Sequence, residues 1–329
     1  MGYKSEVFGK AGIVARVLNK SVSPDGIVIT SFELEYPRMI HSELMTHKMF
    51  SRNAASSRAI PIAKTIEAVR NSPAMPVEWG KNKAGMQADG EIDDPETAKW
   101  MWIQAAKQAA DRAEQMAAMG LHKQVVNRIL EPYVFMKTVL TATEYDNFYW
   151  LRDHEDADPT IHELARCMQE ATNLAGENPL VAGEWHFAYV DTDVGFDKTT
   201  YSVDGEEIDL ETAKKIDAAC CAQVSFRKLD TTIEKALDIY ERLAGSVPVH
   251  SSPFEHAATP MQDEILPQYS SPNEHTHSGT WSVGVNLHWD SSTWEEGITH
   301  CDRDGFLWSG NLKQWVQARQ LVKDNYKKG

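Results

Sequence analysis

Two short apolar runs near the start of the sequence constrain the fold more than any other feature. Both are rich in valine and isoleucine, they span residues 12–18 and 27–34, and the turn sequence SVSPDG lies between them. They therefore predict a pair of β-strands. Later stretches predict helices over residues 37–49, 95–119, 160–174, 210–222, 231–243 and 311–326. This alternation predicts an α/β (α+β) fold in which helices flank a central mixed sheet.

The stretch from 190 to 209 differs in composition from its surroundings. It is acidic, rich in Gly and Asp and poor in aliphatic side chains, which predicts a surface connection and a candidate boundary. We expect residues 1–190 and 210–329 to form two parts, connected by 191–209, that contribute to one site. Residues 261–309 are rich in Trp, His and Ser without clear periodicity, and they predict a long functional loop region.

Charge and composition argue against several classes of protein. The formal net charge is −15, which disfavours polymeric nucleic acid because its phosphates would be repelled. A small anionic ligand stays compatible, since a pocket can hold local Arg and Lys. No apolar run approaches the ~20 residues that span a bilayer, the N-terminal sequence lacks a signal peptide, and the cysteines show no disulfide-framework spacing. We expect a cytoplasmic protein that binds neither membrane nor polymeric nucleic acid.

A group of histidines raises the question of a metal site. His275 and His277 could combine with His256, His300 and Cys301, but neither H-E-x-x-H nor C-x-x-C spacing is present. We therefore expect no metal. The sequence also lacks G-x-G-x-x-G, so a Rossmann-type nicotinamide site is not expected.

The segment THKMFSRNAASSR, residues 46–58, carries the strongest chemical signal. It offers a His–Lys pair at a helix end and then polar residues in a loop over 51–58, separated by small side chains that let a ligand approach the backbone. Serine hydroxyls and an arginine fork are suited to phosphate. The residues alone are equally compatible with a polar helix-capping loop whose charges are solvated.

This segment resembles the motif of flavin-dependent thymidylate synthases, R-H-R, two residues, S, one, N, two, S, one, R. The matched positions are His47, Ser51, Asn53, Ser56 and Arg58, with Thr46 and Lys48 where the family has arginines. The resemblance implies that His47, Lys48 and Asn53 bind the flavin and that Ser56 and Arg58 hold the nucleotide. It also implies a nucleotide contact for Glu43, where the family often has Gln.

A second pair of segments is similar to the same family. VVNRILEPY (125–133) looks like A-R-x-x-L-P and implies that Arg128 binds the nucleotide, while NFYWLR (147–152) looks like N-F-L-x-L-R. The latter implies Asn147 near the flavin and Arg152 against the pyrimidine, where a guanidinium stabilises charge that develops on the ring. Composition alone favours another explanation of Arg152, a salt bridge with a neighbouring carboxylate: Asp153, Glu155 or Asp156.

A third set of segments lies near the end of the chain. VHSSPFEHAATP (249–260) looks like H-x-[ST]-x-F-E-H, which implies flavin contacts for His250, Ser252 and Glu255, and AQVSF (222–226) is similar to A-R-V-S-[FY], which implies one for Ser225. The alternative is a His and a Glu that cap one helix. In the family these segments precede the R-H-R motif, whereas here they follow it. Circular permutation or two diverged halves would account for the order.

The resemblance implies reductive methylation of dUMP to dTMP, with FAD as cofactor and NADPH and methylenetetrahydrofolate as co-substrates. Arg152 and Ser56 would be catalytic, and the enzyme would be a homotetramer. One alternative keeps the flavin chemistry but modifies another pyrimidine deoxynucleotide or adds a hydroxymethyl group. The other is a nucleotide-binding homologue without catalysis.

Overall fold

A six-stranded mixed sheet is the central element of the computed structural model, which describes residues 2–196, 198–224, 232–244, 246–262 and 291–324. The strands are β1 (Ser5–Phe8), β2 (Val14–Val22), β3 (Val28–Pro37), β4 (Ser51–Ala54), β5 (Phe135–Ala142) and β6 (Asn178–Pro179). The order is β1-β2-β3-β5-β4 with antiparallel neighbours, and β6 pairs with β2 in parallel. The predicted mixed α/β fold class is confirmed, and β2 and β3 are the two predicted strands.

Helices flank this sheet. In the described residues they are α1 (His41–Leu44), α2 (Ile62–Asn71), α3 (Pro95–Ala118), α4 (Lys123–Val126), α5 (Asp146–Arg152), α6 (Pro159–Leu174), α7 (Leu210–Ala222), α8 (Ile233–Ala244) and α9 (Ala318–Leu321). The predictions for α3, α6, α7 and α8 are confirmed to within two residues. Asp94 and Asp158 cap α3 and α6, and each cap is followed by proline at the first helical turn, a local signal that the sequence carries openly.

The two faces of the sheet are buried by different parts of the chain. On one face, Phe32 and Leu34 of β3 pack in a core with Leu164 and Met168 of α6. Side chains alternate along a strand, so Ile29 of β3 faces the other way and packs in a cluster with Trp315 and Leu312. The C-terminal segments therefore form a second layer on the sheet.

The predicted helix over 37–49 is wrong for most of its length. A 3₁₀ helix at Arg38–Ile40 leads into the four-residue helix α1, and turns follow. The loop predicted over 51–58 begins instead with β4, because Ser51–Ala54 pairs with β5 from Thr141 to Thr138. This pairing joins residues far apart in the sequence, and local composition does not reveal it.

The helix predicted over 311–326 is also wrong. Residues Leu312–Lys313 and Trp315–Gln317 form strands β13 and β14, and β14 pairs with β10 (Ala258–Pro260). Up to residue 324, where the described part of the segment ends, α9 is its only helical turn. Strands β11 (His300–Cys301) and β12 (Leu307–Ser309) complete a small sheet with β13. Between β13 and β14, Gln314 has a φ of 53°, a left-handed conformation that interrupts a helix.

The acidic stretch at 190–209 is more than the predicted surface connection. It forms an antiparallel sheet of β7 (Asp191–Val194), β8 (Thr199–Val203) and β9 (Glu206–Ile208). Tyr201 on β8 is buried against Phe187, with ring centroids 5.4 Å apart. One aromatic residue in a polar stretch thus supplies an apolar anchor, and the division of the chain at this point stays a prediction.

Two further expectations concern segments that are only partly described. Of the region predicted to be a functional loop, 263–290 lies outside the described residues, and 291–309 contains β11 and β12. His275 and His277 lie outside as well, and elsewhere no three His, Cys, Asp or Glu side chains of the described chain are grouped as metal ligands. Within the described ranges, no helix has the length and apolar character needed to cross a membrane.

Candidate functional site

Residues from distant parts of the sequence meet around β4, at the edge of the central sheet. The turn after α1 and the end of α5 reach it on one face, and a 3₁₀ helix at Ser252–Glu255 reaches it on the other. We call this region the β4 site. Strand β4 is the edge strand of the sheet and pairs with β5.

Arg152 is held on the first face by two partners from the motif segment. Its Nη1 lies 2.5 Å from Glu43 Oε1, and its Nε donates to His47 Nε2 at 3.1 Å. The side chains of Arg152 and Glu43 are 21% and 31% exposed. The alternative, a salt bridge of Arg152 with a carboxylate that neighbours it in the sequence, is wrong. Asp153 instead lies 3.1 Å from His162. The predicted positions Glu43, His47 and Arg152 are therefore brought together.

His47 is neutral in this arrangement. Burial lowers the pKa of its imidazole, and the positive charges of Arg152 and Arg52 lower it further. Because Arg152 Nε donates to Nε2, the ring proton resides on Nδ1. The ring packs edge-on against Phe148 of α5, with centroids 4.9 Å apart, so helix α5 positions both the histidine and the arginine.

The second face links β4 to the C-terminal segment. Asn53 Nδ2 donates to Ser252 Oγ at 3.3 Å, and its Oδ1 lies 3.3 Å from His256 Nε2. With the amide turned over, its nitrogen donates to the carbonyl oxygens of Arg52 and Ser252 at 3.1 and 3.2 Å. Either orientation joins the first motif segment to the third. His256 is fully buried, its Nδ1 lies 2.9 Å from Thr141 Oγ1, and burial lowers its pKa to about 3.

Glu255 occupies a largely buried position beside this contact. Its side chain is 16% exposed and forms an ion pair with Arg319 of α9. Burial raises the pKa of the carboxyl, while Arg319 and Arg52 act in the opposite direction. The backbone oxygen of Glu255 accepts from Gln317 Nε2 at 3.3 Å. Both β14 and α9 therefore contribute a side chain that holds Glu255 in place.

Sequence reasoning missed four polar residues of this site, which are Asn311, Gln317, Arg52 and Arg319. Ser51 Oγ is bonded to Asn311 and Gln317, at 3.0 and 3.2 Å. Arg52 donates from Nη1 to the backbone oxygen of His47 at 2.5 Å. Arg319 is the fourth. Only Arg52 carried a signal, because it lies inside the motif segment between two matched positions.

The predicted nucleotide residues lie on a neighbouring loop. Asn127 Nδ2 donates to the backbone oxygens of Ser57 and Ile60, at 2.8 and 3.2 Å, which fixes the loop beside the 3₁₀ helix Asn127–Tyr133. Arg128 in that helix pairs with Glu131 at 2.9 Å.

Glu131 connects this loop to a further cation. Its carboxylate also accepts from Arg38 at 3.1 Å and from Ser57 Oγ at 3.4 Å. Ser56 and Arg58 are exposed, and the backbone N–H of Arg58 donates to Ser56 Oγ at 3.4 Å. The arrangement suits a phosphate, and it equally suits a capping loop with solvated charges.

Other predicted flavin positions do not converge on the β4 site. Lys48 is exposed with Nζ 3.5 Å from the Met45 carbonyl oxygen, and Thr46 Oγ1 donates to the Glu43 carbonyl oxygen at 2.7 Å. Asn147 and His250 are exposed, the first on the same helix as Arg152 and the second just before the 3₁₀ helix. Ser225 lies outside the described residues.

Comparison with known proteins gives matches among solved structures and no matches of another kind. No family model matches the sequence, and no curated protein matches it. Two solved structures of a UMP/dUMP methylase, PolB from Streptomyces cacaoi, are similar to half of the chain. The one bound with 5-Br UMP has 13% identity and a TM-score of 0.40, over 50% of this chain and 91% of that chain. The one bound with 5-Br dUMP has 15% identity and a TM-score of 0.38, over 50% and 92%.

Proposed function

We propose that this chain is a flavin-dependent enzyme that methylates dUMP to dTMP, with methylenetetrahydrofolate as carbon donor and NADPH as the source of reducing power. One observation supports it above all. Segments that resemble three motifs of one enzyme family, in an order the family does not have, meet at one place. Asn53 of the first contacts Ser252 and His256 of the third, and His47 of the first contacts Arg152 of the second.

Arg152 is the group that activates the pyrimidine. When carbon is added at C5 of uracil, negative charge develops on the ring carbonyl and N3, and an oriented guanidinium stabilises it. Glu43 and His47 fix the orientation of this guanidinium before substrate arrives, so little reorganisation is needed. Because His47 is neutral, it holds Arg152 in place without repelling it.

The loop with Ser56 and Arg58 is the place for the nucleotide phosphate. Arg58 is exposed, and it forms no ion pair with any other residue that the structure describes. Arg128 lies beside the same loop and forms an ion pair with Glu131. A phosphate would gain charge-assisted hydrogen bonds from both arginines, which are among the stronger polar contacts in proteins. Ser56 contributes its hydroxyl there.

The chemistry of the β4 site fits a flavin. Ser252 is exposed and Asn53 half-buried, and both present groups that bind ring carbonyls and nitrogens. Together with His47 and Glu255, they are the residues of the β4 site that would hold FAD. The resemblance also assigns Lys48, Asn147 and His250, which do not converge on this site, and Ser225, which lies outside the described residues. FAD, when bound there in its reduced form, would supply the hydride that converts the transferred methylene into a methyl group. In the balanced reaction, dUMP, methylenetetrahydrofolate and reduced FAD give dTMP, tetrahydrofolate and oxidised FAD.

The test begins with the visible absorption spectrum of the protein after FAD is added and unbound FAD removed. We expect a retained flavin band, and dTMP formation when dUMP, methylenetetrahydrofolate and NADPH are supplied. The variant Arg152→Ala should lose dTMP formation, whereas Arg112→Ala, on the exposed side of α3, should keep it.

Three results would redirect the proposal. A product heavier than dTMP by one oxygen would indicate hydroxymethylation. If the protein binds nucleotide but stays colourless and shows no turnover, it is a nucleotide-binding homologue without catalysis. The exposed positions of Thr46 and Lys48, where the family has arginines, make this the second candidate function. Unchanged turnover in Arg152→Ala would refute the assignment of Arg152. The homotetramer and the cytoplasmic location stay predictions.

A further inference from the structure

Arg52 on β4 has a different environment from the other cations of the site. Its side chain lies on the same face of the sheet as Leu140, its cross-strand partner on β5. Tyr36, His41 and His47 all lie close enough for its charge to affect their pKa. Arg52 is itself half-buried, so its charge is partly removed from water.

The donors of Arg52 are incompletely used. Nη1 donates to the His47 carbonyl oxygen at 2.5 Å, whereas Nε is buried and has no hydrogen-bond partner. An arginine carries five N–H donors, and buried donors are nearly always paired in native proteins. An exception of this kind in a native structure calls for an explanation, such as a functional role or an ion that binds at the site.

The charge of Arg52 is only partly balanced, because Glu255, the carboxylate that acts on it, is ion-paired with Arg319. Arg152 has Glu43 as a partner, and the carboxylate of Glu255 is bonded to Arg319. No ion pair of Arg52 occurs among the residues that the structure describes. Its other close titratable neighbours are neutral, because burial lowers the pKa of His41 and His47 and raises that of Tyr36.

We propose that Arg52 binds a phosphate group of the ligand in the β4 site. The remaining N–H groups of a guanidinium form a planar fork that matches two phosphate oxygens, which a lysine cannot do. The phosphate has two possible sources, the pyrophosphate of FAD and the 5′-phosphate of dUMP, which Arg52 would then share with the loop of Ser56 and Arg58. The inference rests on the proposed function and deepens it, since it assigns a residue that the motif resemblance leaves without a role.

The test compares each phosphate ligand with a counterpart that has no phosphate. Binding of dUMP and deoxyuridine is measured by calorimetry, and binding of FAD and riboflavin by flavin fluorescence, for the wild type, Arg52→Gln, Arg52→Lys and the control Arg112→Gln. Glutamine keeps a polar amide at this position but has no charge. Circular dichroism and the melting temperature establish that each variant is folded.

We expect Arg52→Gln to weaken binding of one phosphate ligand by about 10- to 100-fold, the range for losing a hydrogen bond to a charged group. The phosphate-free counterpart should bind as in the wild type. Arg52→Lys should lose less, and its remaining affinity should fall with added salt because a point charge is screened. Loss with dUMP would identify the nucleotide as the source, and loss with FAD would identify the flavin.

Two outcomes would overturn the inference. If the wild type binds dUMP or FAD and Arg52→Gln binds them equally well, or loses phosphate and phosphate-free ligands alike, Arg52 has only a structural role. If Arg52→Gln does not fold, the same comparison made with Arg52→Lys decides between these results. Failure of the wild type to bind any of the four ligands would instead refute the proposed function together with this inference.

Discussion

Acid should destabilise this protein through two buried histidines, and His256 is the one to test. It is fully buried against β4 and β5, where Thr141 and Asn53 are its partners. His186 is buried nearby with Ser21 and Ser31 as partners, at 2.9 and 2.8 Å. Burial lowers the pKa of each imidazole from 6.5 to about 3, so both are neutral in the folded protein.

The size of the effect follows from these pKa values. Below pH 6.5 the unfolded chain binds a proton at each histidine and the folded protein does not, so the free energy of unfolding falls as pH falls. The slope is about 1.4 kcal/mol per pH unit for each histidine. Between pH 7 and pH 5 this amounts to about 2 kcal/mol for His256 and about 4 kcal/mol for the pair.

The measurement is urea unfolding at pH 7 and pH 5, followed by tryptophan fluorescence, on the wild type and His256→Gln. Glutamine keeps hydrogen-bonding groups for Thr141 and Asn53 but does not titrate. The variant is less stable at both pH values, yet its loss between them should be smaller by about 2 kcal/mol. Glu255, whose pKa burial raises, works in the opposite direction, and it cancels when the two proteins are compared.

The matched control is His250→Gln, six positions upstream and exposed. It should leave the pH dependence unchanged. If His256→Gln loses as much stability between pH 7 and pH 5 as the wild type, His256 is already protonated or solvated in the folded state. The buried link between β4 and the C-terminal segment would then be wrong.

Two further predictions concern the site directly. Phe148→Ala should lower the free energy of unfolding by about 3–5 kcal/mol, because Phe148 is 2% exposed and packs against His47; urea unfolding measures this, and a loss below about 1 kcal/mol would contradict the packing. Arg58→Gln should leave stability within about 0.5 kcal/mol of the wild type, since the side chain is exposed. The same variant should weaken dUMP binding by about tenfold in calorimetry, and unchanged affinity would favour the solvated capping loop.

Much of the secondary structure could be predicted from the sequence because its signals are local. Asp94 and Asp158 stand one residue before prolines that begin α3 and α6, and cap and proline are read without knowledge of the rest of the fold. The apolar runs that became β2 and β3 are equally local. The motif positions His47, Asn53, Arg152 and Ser252 were implied by the resemblance of their segments to one enzyme family, without any knowledge of what they contact.

The sequence by itself determined the mixed α/β class, the long helices and the candidate residues of the site. Only the tertiary structure decided which groups meet. It paired Arg152 with Glu43 instead of with its sequence neighbours, and it made strands of the C-terminal segment because Trp315 pairs with Pro260 and is buried against the sheet. Burial also decided that His47 is neutral. Long-range pairing and desolvation depend on elements that are distant in the chain, and no local pattern of residues contains that information.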